Sequence, residues 1–585
     1  MKTFAGFHGR YWRFDLGTGT GAYIPLDEAV LRRFLGGVGL GAWLLHRESP
    51  AGVDPLAPEA ALVFAFSPLV GTPLTTSAKF AVVAKSPLTG MISDSLSSSH
   101  FAIHGKRMGV DAIVLVGACA QPSVLVDGAL RPTDLWGRSS EEACAALAPY
   151  GTVAAIGVAG EHLVRYATIS NDGRHAGRGG LGAVMGAKKL KAIVVRGEVR
   201  TELSDAPAVL AIAKDLSKRS FGPATAKYRE LGTVGNLLAF NRLAALPTRN
   251  FQSGTFDQAA ALSAEQLAPT RAKAKRSCAS CTIGCEHIYA FGDAKSVRVE
   301  YENVFALGPL CGIGDPDAVL AASKRCDDLG LDTISAGGTI AFAMECAERG
   351  LIAGPRFGDA AGLMALLEDI AHRRGLGALL AEGSRRAAEA IGSGSIDFAP
   401  QVKGMELPGY EPRALQTMAL GFAVGTRGAD HNRSGAYELD FSDTVDRLKG
   451  SPEAARLAAG TEDRAALMDA LILCKFLRGV FTDLYAESAA MLRAVTGWDV
   501  TAAELVATSA RIVALKKAFN IREGWTPASD TLPKRFLSEG LPDGASKGAL
   551  IPRERLQDMV RAYNRARGWT DDGWLPDTVY EELAL

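Results

Sequence analysis

The apolar positions of the chain change period about a third of the way along. Up to about residue 200 they gather in short runs, alternating or β-branched, bounded by turn residues: Arg10–Gly19, Ala61–Phe66, Phe80–Ala84, Ala112–Val116 and Lys191–Val195. Runs of this length predict strands. From about Ala206 apolar residues recur at three and four, the spacing of one helix face, over Ala208–Ser217, Ala318–Cys326, Thr339–Arg349, Leu363–His372 and Leu379–Ile391. Gly330, Gly350 and Gly375 stand behind several of these as stop signals. A further helical stretch covers about Thr417 to Thr526, and a loop-rich tail finishes in Asp577–Leu585. The pattern predicts an α+β chain: a β-rich N-terminal base domain over residues 1–205, then two mostly α-helical domains over 206–405 and 406–585.

Composition narrows the function classes. The 64 basic and 64 acidic side chains cancel, so no global charge argues for nucleic acid or a membrane surface. No apolar run approaches a membrane span, and Met1–Arg10 lacks the apolar region and twin arginine of an export leader. Nine cysteines, an odd number with one tight group, predict reduced thiols in a cytoplasmic protein rather than a disulfide framework. Cys119, Cys144, Cys326 and Cys346 read as core residues.

The tight group is Cys278, Cys281 and Cys285, a C-x2-C-x3-C run. Three thiols on one loop converge on a soft metal centre and need a fourth ligand from elsewhere. The spacing alone leaves an iron–sulfur cluster, zinc and structural thiols open, although the second paired motif usual in zinc sites is missing. Cys311 and Cys474 are the candidate fourth thiols.

Asp327 and Asp332 flank a predicted helix–helix corner at Gly330, where free backbone N–H groups and a carboxylate could receive the edge of an aminopyrimidinone. The plainer reading makes Asp332 an N-cap and Asp327 a solvated helix end. An imperfect copy, Asp469-x-x-Ile472-Leu473-Cys474, ends on a candidate metal ligand, and two copies would suit a ligand with two equivalent heterocyclic halves. Leu35–Gly41 and Ala176–Gly186 are glycine-rich loops that could approach a phosphate, with Arg178 as a clamp, or could be tight turns; neither has the P-loop or dinucleotide fingerprint. Glu300, Glu302 and His431 are candidate acid–base groups, His431 in a polar Gly- and Arg-flanked loop that equally suits an exposed histidine. Glu368 and His372 at helical spacing read as a solvent-facing pair rather than metal ligands.

Taken together and in order, Gly36–Ala42, Lys85–Gly90, Ala176–Gly186, Leu246–Phe251, Glu300–Glu302, Asp327–Asp332 and Asp530–Arg535 resemble the tungsten-dependent aldehyde:ferredoxin oxidoreductase family over almost the whole chain. The resemblance implies a bis-pyranopterin tungsten centre (molybdenum being the alternative metal) between a β base and two helical domains. It implies one [4Fe–4S] cluster on Cys278, Cys281, Cys285 and Cys474, and a Mg2+ ion bridging the pterin phosphates. Cofactor contacts are implied at Lys79, Arg178, Gly179, Gly180, Asp327, Gly330, Leu331, Asp332, Asp469, Leu473 and Lys475, with Glu302 and His431 beside the metal. The implied reaction oxidises an aldehyde to a carboxylic acid with oxygen from water. Its electrons pass to ferredoxin or an iron–sulfur partner subunit, and a homo-oligomer is compatible with the family. The rival readings are low-potential reduction of another substrate, such as an aromatic-ring thioester, and an inactive cofactor-binding relative.

The chain departs from the family pattern at three places. Ile472 stands where relatives have Gly, which predicts a different backbone conformation there. Lys79 replaces an Arg, losing fork geometry. Ser93–His100 replaces an Asn followed by glycines, so a magnesium contact there would use backbone carbonyls. Cys311 reads as a packed thiol, with direct metal ligation as the alternative.

Overall fold

A computed structural model describes residues 4–293 and 295–585, so Met1–Thr3 of the stretch read for a leader lie outside the described residues. The predicted β-rich start consists of two six-stranded sheets. The first runs, edge to edge, Thr20–Pro25, Arg10–Asp15, Ala112–Val116, Leu62–Ala65, Lys79–Lys85 and Ile92–Ser98. The second runs Arg174–Ala176, Ile169–Asn171, Thr152–Ile156, Leu190–Val195, Ser123–Val126 and Ala129–Pro132. Alternation along Leu62–Ala65 explains the continuous apolar run. Leu62 and Phe64 join the core that reaches the second sheet, while Val63 and Ala65 join the core under the helices. Phe64, Phe80, Phe101, Ile156 and Ile193 fill the first of these cores, each fully buried and each contributing about 2 kcal/mol of burial.

The helical remainder follows the three-four periodicity with one exception. Ala206–Ser220, Pro316–Leu329, Thr333–Glu348 and Ala360–Ala371 are single helices. The predicted helix Leu379–Ile391 is two, Leu376–Leu380 and Ser384–Ile391, because Gly383 takes φ +88° between them. Among the described residues no single helix is long and apolar enough to cross a membrane.

Ionic ties hold the base against the last helical part and the two helical parts against each other. Lys85 Nζ bonds Glu523 Oε2 at 2.6 Å and the Val53 carbonyl at 2.8 Å. Arg535 forks onto Glu345 at 2.7 and 2.5 Å, and Asn250 Nδ2 donates to the same carboxylate at 2.6 Å. Arg249, Asn250 and Phe251 all have positive φ, a costly run that these bonds to Glu345, Arg535 and Arg413 hold in place.

Candidate active site

A cavity of about 650 Å³ lies where the first sheet, the cysteine loop and the last helical part meet. Nine lysines and arginines face it against four carboxylates, so its field favours an anionic occupant. Its lining includes Cys278, Cys285, Cys474, Lys79, Asp469 and Lys475, together with Glu302, His431 and a belt of Phe240, Tyr301, Tyr410, Tyr437 and Phe441. Phe441 is 42% exposed and marks where the cavity meets solvent.

The cysteine loop docks on the turn before strand Lys79–Lys85. Thr76 N–H donates to the Ser280 carbonyl at 2.6 Å, Thr75 and Thr282 hydroxyls meet at 2.9 Å, and Cys474 N–H donates to Thr76 Oγ1 at 3.2 Å. One short segment thus gathers the three clustered cysteines and Cys474. Lys79 sits among them: burial opposes its charge, but Cys474, Cys278 and Asp469 outweigh this and raise its pKa above the ordinary lysine value. Cys311 is not part of this group. Its thiol is packed in the core, donating to the Ala306 carbonyl at 3.4 Å and the Gly337 carbonyl at 3.6 Å, and burial pushes it up.

Both Asp-x-x-x-Leu corners form, with one geometry. Gly330 has φ 76° and ψ 45°, and Leu331 N–H reaches back to the Cys326 carbonyl at 2.9 Å. Ile472 has φ 63° and ψ 34°, and Leu473 N–H reaches back to the Met468 carbonyl at 2.7 Å. The expected change of backbone at Ile472 is therefore corrected: the β-branched residue keeps the left-handed turn. Asp332 caps the following helix through Ile334 N–H at 3.2 Å and holds Arg178 Nε at 3.1 Å. Arg178 faces the cavity but spends its other donors on the carbonyls of Ala429 at 2.8 Å and Glu406 at 2.6 Å. It positions loops rather than standing open as a phosphate clamp. Asp327 lies behind the cavity wall, Oδ1 3.3 Å from His175 Nε2, and burial pushes it up to about 6 although Arg298 and Lys324 pull the other way. Asp469 pairs with Lys475 Nζ at 2.9 Å, and burial pushes that lysine down to about 8 against the pull of Asp469.

The glycine-rich loops read for phosphate serve close packing. A Cβ on Gly37 would meet the Asp469 carbonyl at 2.4 Å and Ile472 Cδ1 at 2.5 Å. One on Gly179 would meet Ser93 Oγ at 1.9 Å, and one on Gly180 the Arg165 carbonyl at 2.0 Å. Magnesium contact through the Ser93–His100 carbonyls is excluded at Asp94, whose carbonyl already accepts from Arg427 and, at 2.9 Å, Arg433. Glu368 pairs with Arg325 rather than forming a metal pair with His372.

Glu302 and His431 face one another, Oε1 to Nε2 3.7 Å. The exposed-loop reading of His431 is corrected: it opens the short helix His431–Ser434, is 9% exposed and stacks on Tyr410 with centroids 4.8 Å apart. Asp430 fixes it by capping that helix, Oδ1 accepting from Asn432 and Arg433 N–H at 2.8 and 2.9 Å. Burial works against the Asp430 charge, but Arg427 and Arg433 hold its carboxyl well below the usual range. Burial pushes His431 down to about 3, against the pull of Asp430, and pushes Glu302 up to about 8, against a 2.9 Å bond from Gly409 N–H. At neutral pH the pair is therefore an uncharged imidazole beside a protonated carboxyl. Asn432 Nδ2 lies 2.9 Å from Nε2, which makes Nε2 the acceptor and leaves the imidazole proton on Nδ1, an atom without a protein partner. Glu302 Oε1 is likewise unpartnered among the described residues. Both residues line the basic cavity, and each keeps one enclosed polar atom without a partner among the described residues.

Sequence reading missed three contributors. The Gly409 carbonyl accepts from Tyr301 Oη at 2.6 Å while its N–H donates to Glu302, and a Cβ there would meet Tyr301 Cε1 at 2.7 Å. Arg298, on strand Lys295–Val299, lines the cavity with Nε unpartnered among the described residues. The aromatic belt comes from four separated segments and carries no motif.

With this geometry in place, the chain can be set against known proteins. A family model described as "Aldehyde ferredoxin oxidoreductase, N-terminal domain" matches residues 11–197, and one described as "Aldehyde ferredoxin oxidoreductase, domains 2 & 3" matches residues 211–585. The chain belongs to the aldehyde ferredoxin oxidoreductase family. It is 37% identical to the tungsten-containing aldehyde ferredoxin oxidoreductases of Pyrococcus furiosus and Thermococcus kodakarensis, covering 99% of this chain and 98% of each relative. A more distant relative, the WOR-like subunit of an aliphatic sulfonate oxidoreductase of Pyrococcus furiosus, is 28% identical over 99% of this chain and 97% of its own. The active-site complex of benzoyl coenzyme A reductase with 1,5-dienoyl-CoA shares the fold, with a TM-score of 0.84 at 23% identity over 100% of this chain and 98% of that one.

Proposed function

We propose that this protein oxidises an aldehyde to a carboxylic acid, taking the oxygen from water and releasing two protons and two electrons. The observation that carries the proposal is the facing pair Glu302 and His431, each with one unpartnered polar atom, in the lining of a basic cavity that also includes Cys474, five residues after Asp469. Relatives at 37% identity over full length, named as tungsten-containing aldehyde ferredoxin oxidoreductases, favour this over ring reduction, the reaction of a neighbour only 23% identical.

A tungsten bis-pyranopterin would supply the two-electron acceptor. It would be held by the corners at Asp327–Asp332 and Asp469–Cys474, with Lys79, Arg298 and Lys475 toward its anionic groups. Nδ1–H of His431 would donate to the aldehyde oxygen and polarise the carbonyl. Glu302, once deprotonated, would take the proton of the entering water, and its pKa, raised by burial to about 8, keeps that exchange close to working pH. The aromatic belt excludes bulk water and gives an apolar substrate a stacking surface.

Cys278, Cys281, Cys285 and Cys474 would hold a [4Fe–4S] cluster that passes electrons singly to ferredoxin or another iron–sulfur protein. Anaerobic purification followed by metal analysis and a dye-linked aldehyde assay tests the proposal. About one tungsten and about four iron per chain with aldehyde oxidation are expected. Zinc alone, or full metal loading without aldehyde oxidation, overturns it.

A further inference from the structure

The strand that leads into the cysteine loop is the most exposed in the protein. Ala272–Arg276, sequence Ala-Lys-Ala-Lys-Arg, is exposed at all five positions and forms the free edge of a three-stranded sheet behind Glu286–Phe291 and Lys295–Val299. Arg276 is two residues from Cys278, so its Cα is within about 7 Å of that ligand's Cα along the chain. Ser277, Ser280 and Thr282 of the loop are exposed too, which puts the outer side of the loop at the protein surface.

Of the carboxylates near this sheet, Glu286 pairs with Arg174 and Asp317 with Arg271 at 2.6 Å, while Glu265 and Asp293 are exposed away from the cysteine loop in sequence. Lys273, Lys275 and Arg276, none of them in an ion pair among the described residues, make the strand itself a strip of positive charge on a chain whose total charge is zero. A neutral protein with one basic strip beside its electron exit steers an acidic partner to that exit, and such steering raises association rates by roughly 10- to 1000-fold at low salt.

We infer that Ala272–Arg276, with the adjoining outer face of the cysteine loop, is the docking surface for an acidic iron–sulfur electron carrier. The inference rests on the proposed outflow of electrons through Cys278, Cys281, Cys285 and Cys474. One-electron transfer there oxidises the enzyme's cluster and reduces the carrier's, with no bond made or broken. Lysines on a free strand edge also discourage edge-to-edge pairing of chains, and that role alone would leave carrier kinetics unmoved.

The holoenzyme carrying K273E, K275E and R276E together is compared with wild type, using an acidic two-cluster ferredoxin and a viologen dye as alternative acceptors. Expected is a 10- to 100-fold fall in kcat/KM for ferredoxin at low ionic strength. That gap should narrow as salt rises, while iron content and dye-linked rate are retained. K273A/K275A, which adds no negative charge, should show a smaller fall in the same direction. Wild-type ferredoxin kinetics in both variants, or a fall that salt does not narrow, overturns the inference. Loss of dye-linked aldehyde oxidation in the wild-type enzyme would instead overturn the proposed function.

Discussion

The helix ends at Cys326–Asp332 and Met468–Cys474 pass through one backbone turn and then serve different ends. Both close with a left-handed residue and a six-residue N–H to carbonyl bond, Leu331 to Cys326 and Leu473 to Met468. The first uses glycine because the neighbouring backbone leaves no room: a Cβ on Gly330 would meet Gly157 N and Cα at 3.0 and 3.1 Å. The second uses isoleucine because Gly37 yields space to it, and the Ile472 side chain is 1% exposed. Left-handed backbone costs a β-branched residue about 1–2 kcal/mol, while burying its side chain returns about 1.5–3 kcal/mol. The residue at each corner is thus selected by what packs against it, more than by the turn. Beyond the corner, the first copy ends on a carboxylate tied to Arg178 and the second on a thiol of the cysteine wall.

The widest gap between the copies should appear on removing their last residue. Cys474→Ser should lower iron from about four per chain toward none and abolish ferredoxin reduction, whereas Asp332→Asn should keep the iron; equal iron loss in both would merge the two roles. Next in size is Glu302→Gln, which lies between the copies. Its dye-linked kcat should fall by about 10²–10⁴ with tungsten retained. In wild type the rate should climb as pH rises through about 8, because the base form of Glu302 appears there, and that limb should vanish in the variant; a rate that falls over this range would make Glu302 an acid instead.

Exchanging the corners is a smaller test. Gly330→Ile should destabilise the fold by about 3 kcal/mol or more, strain and overpacking together. Ile472→Gly should cost about 1–3 kcal/mol, the lost burial less the relieved strain. Denaturant midpoints check the order, and a stabilised Ile472→Gly would show that strain dominates. The smallest effect belongs to Asp327, whose folded-state value of about 6 lies above its ordinary 3.8 because burial penalises the charge. That penalty is fully present above about pH 6 and fades as pH falls toward 4. Asp327→Asn should therefore stabilise the cofactor-free protein at pH 7–8, with the gain disappearing near pH 4 in thermal unfolding.

Strands such as Ala112–Val116 and corners such as Gly330 were legible because local chemistry decides them: short apolar runs between turns, and a glycine after a helical face. The cysteine wall was half legible: three cysteines by spacing, with Cys474 one of two further candidates that only the resemblance separated. His431 misled because a Gly- and Arg-rich loop looks solvated, yet Asp430 and Tyr410 bury it through contacts the sequence does not announce. The glycines of Leu35–Gly41 left phosphate and tight turns open, because their close approach to Phe66, Asp469 and Val83 is a tertiary fact. Arg178 was rightly sited at the cavity, but nothing local reveals that its donors go to Asp332, Ala429 and Glu406.

The cavity walls come from the start, middle and end of the chain, from Lys79 and Arg178 through Cys278 and Glu302 to His431 and Cys474. That arrangement sets an order in time. A guest filling about 650 Å³ behind a belt of aromatic rings must arrive before the last helical part seats on the base, or wait until that part lifts away. Lys85–Glu523 is the clasp between the base and the last helical part that such lifting has to open, and Arg535–Glu345 is a second one between the two helical parts.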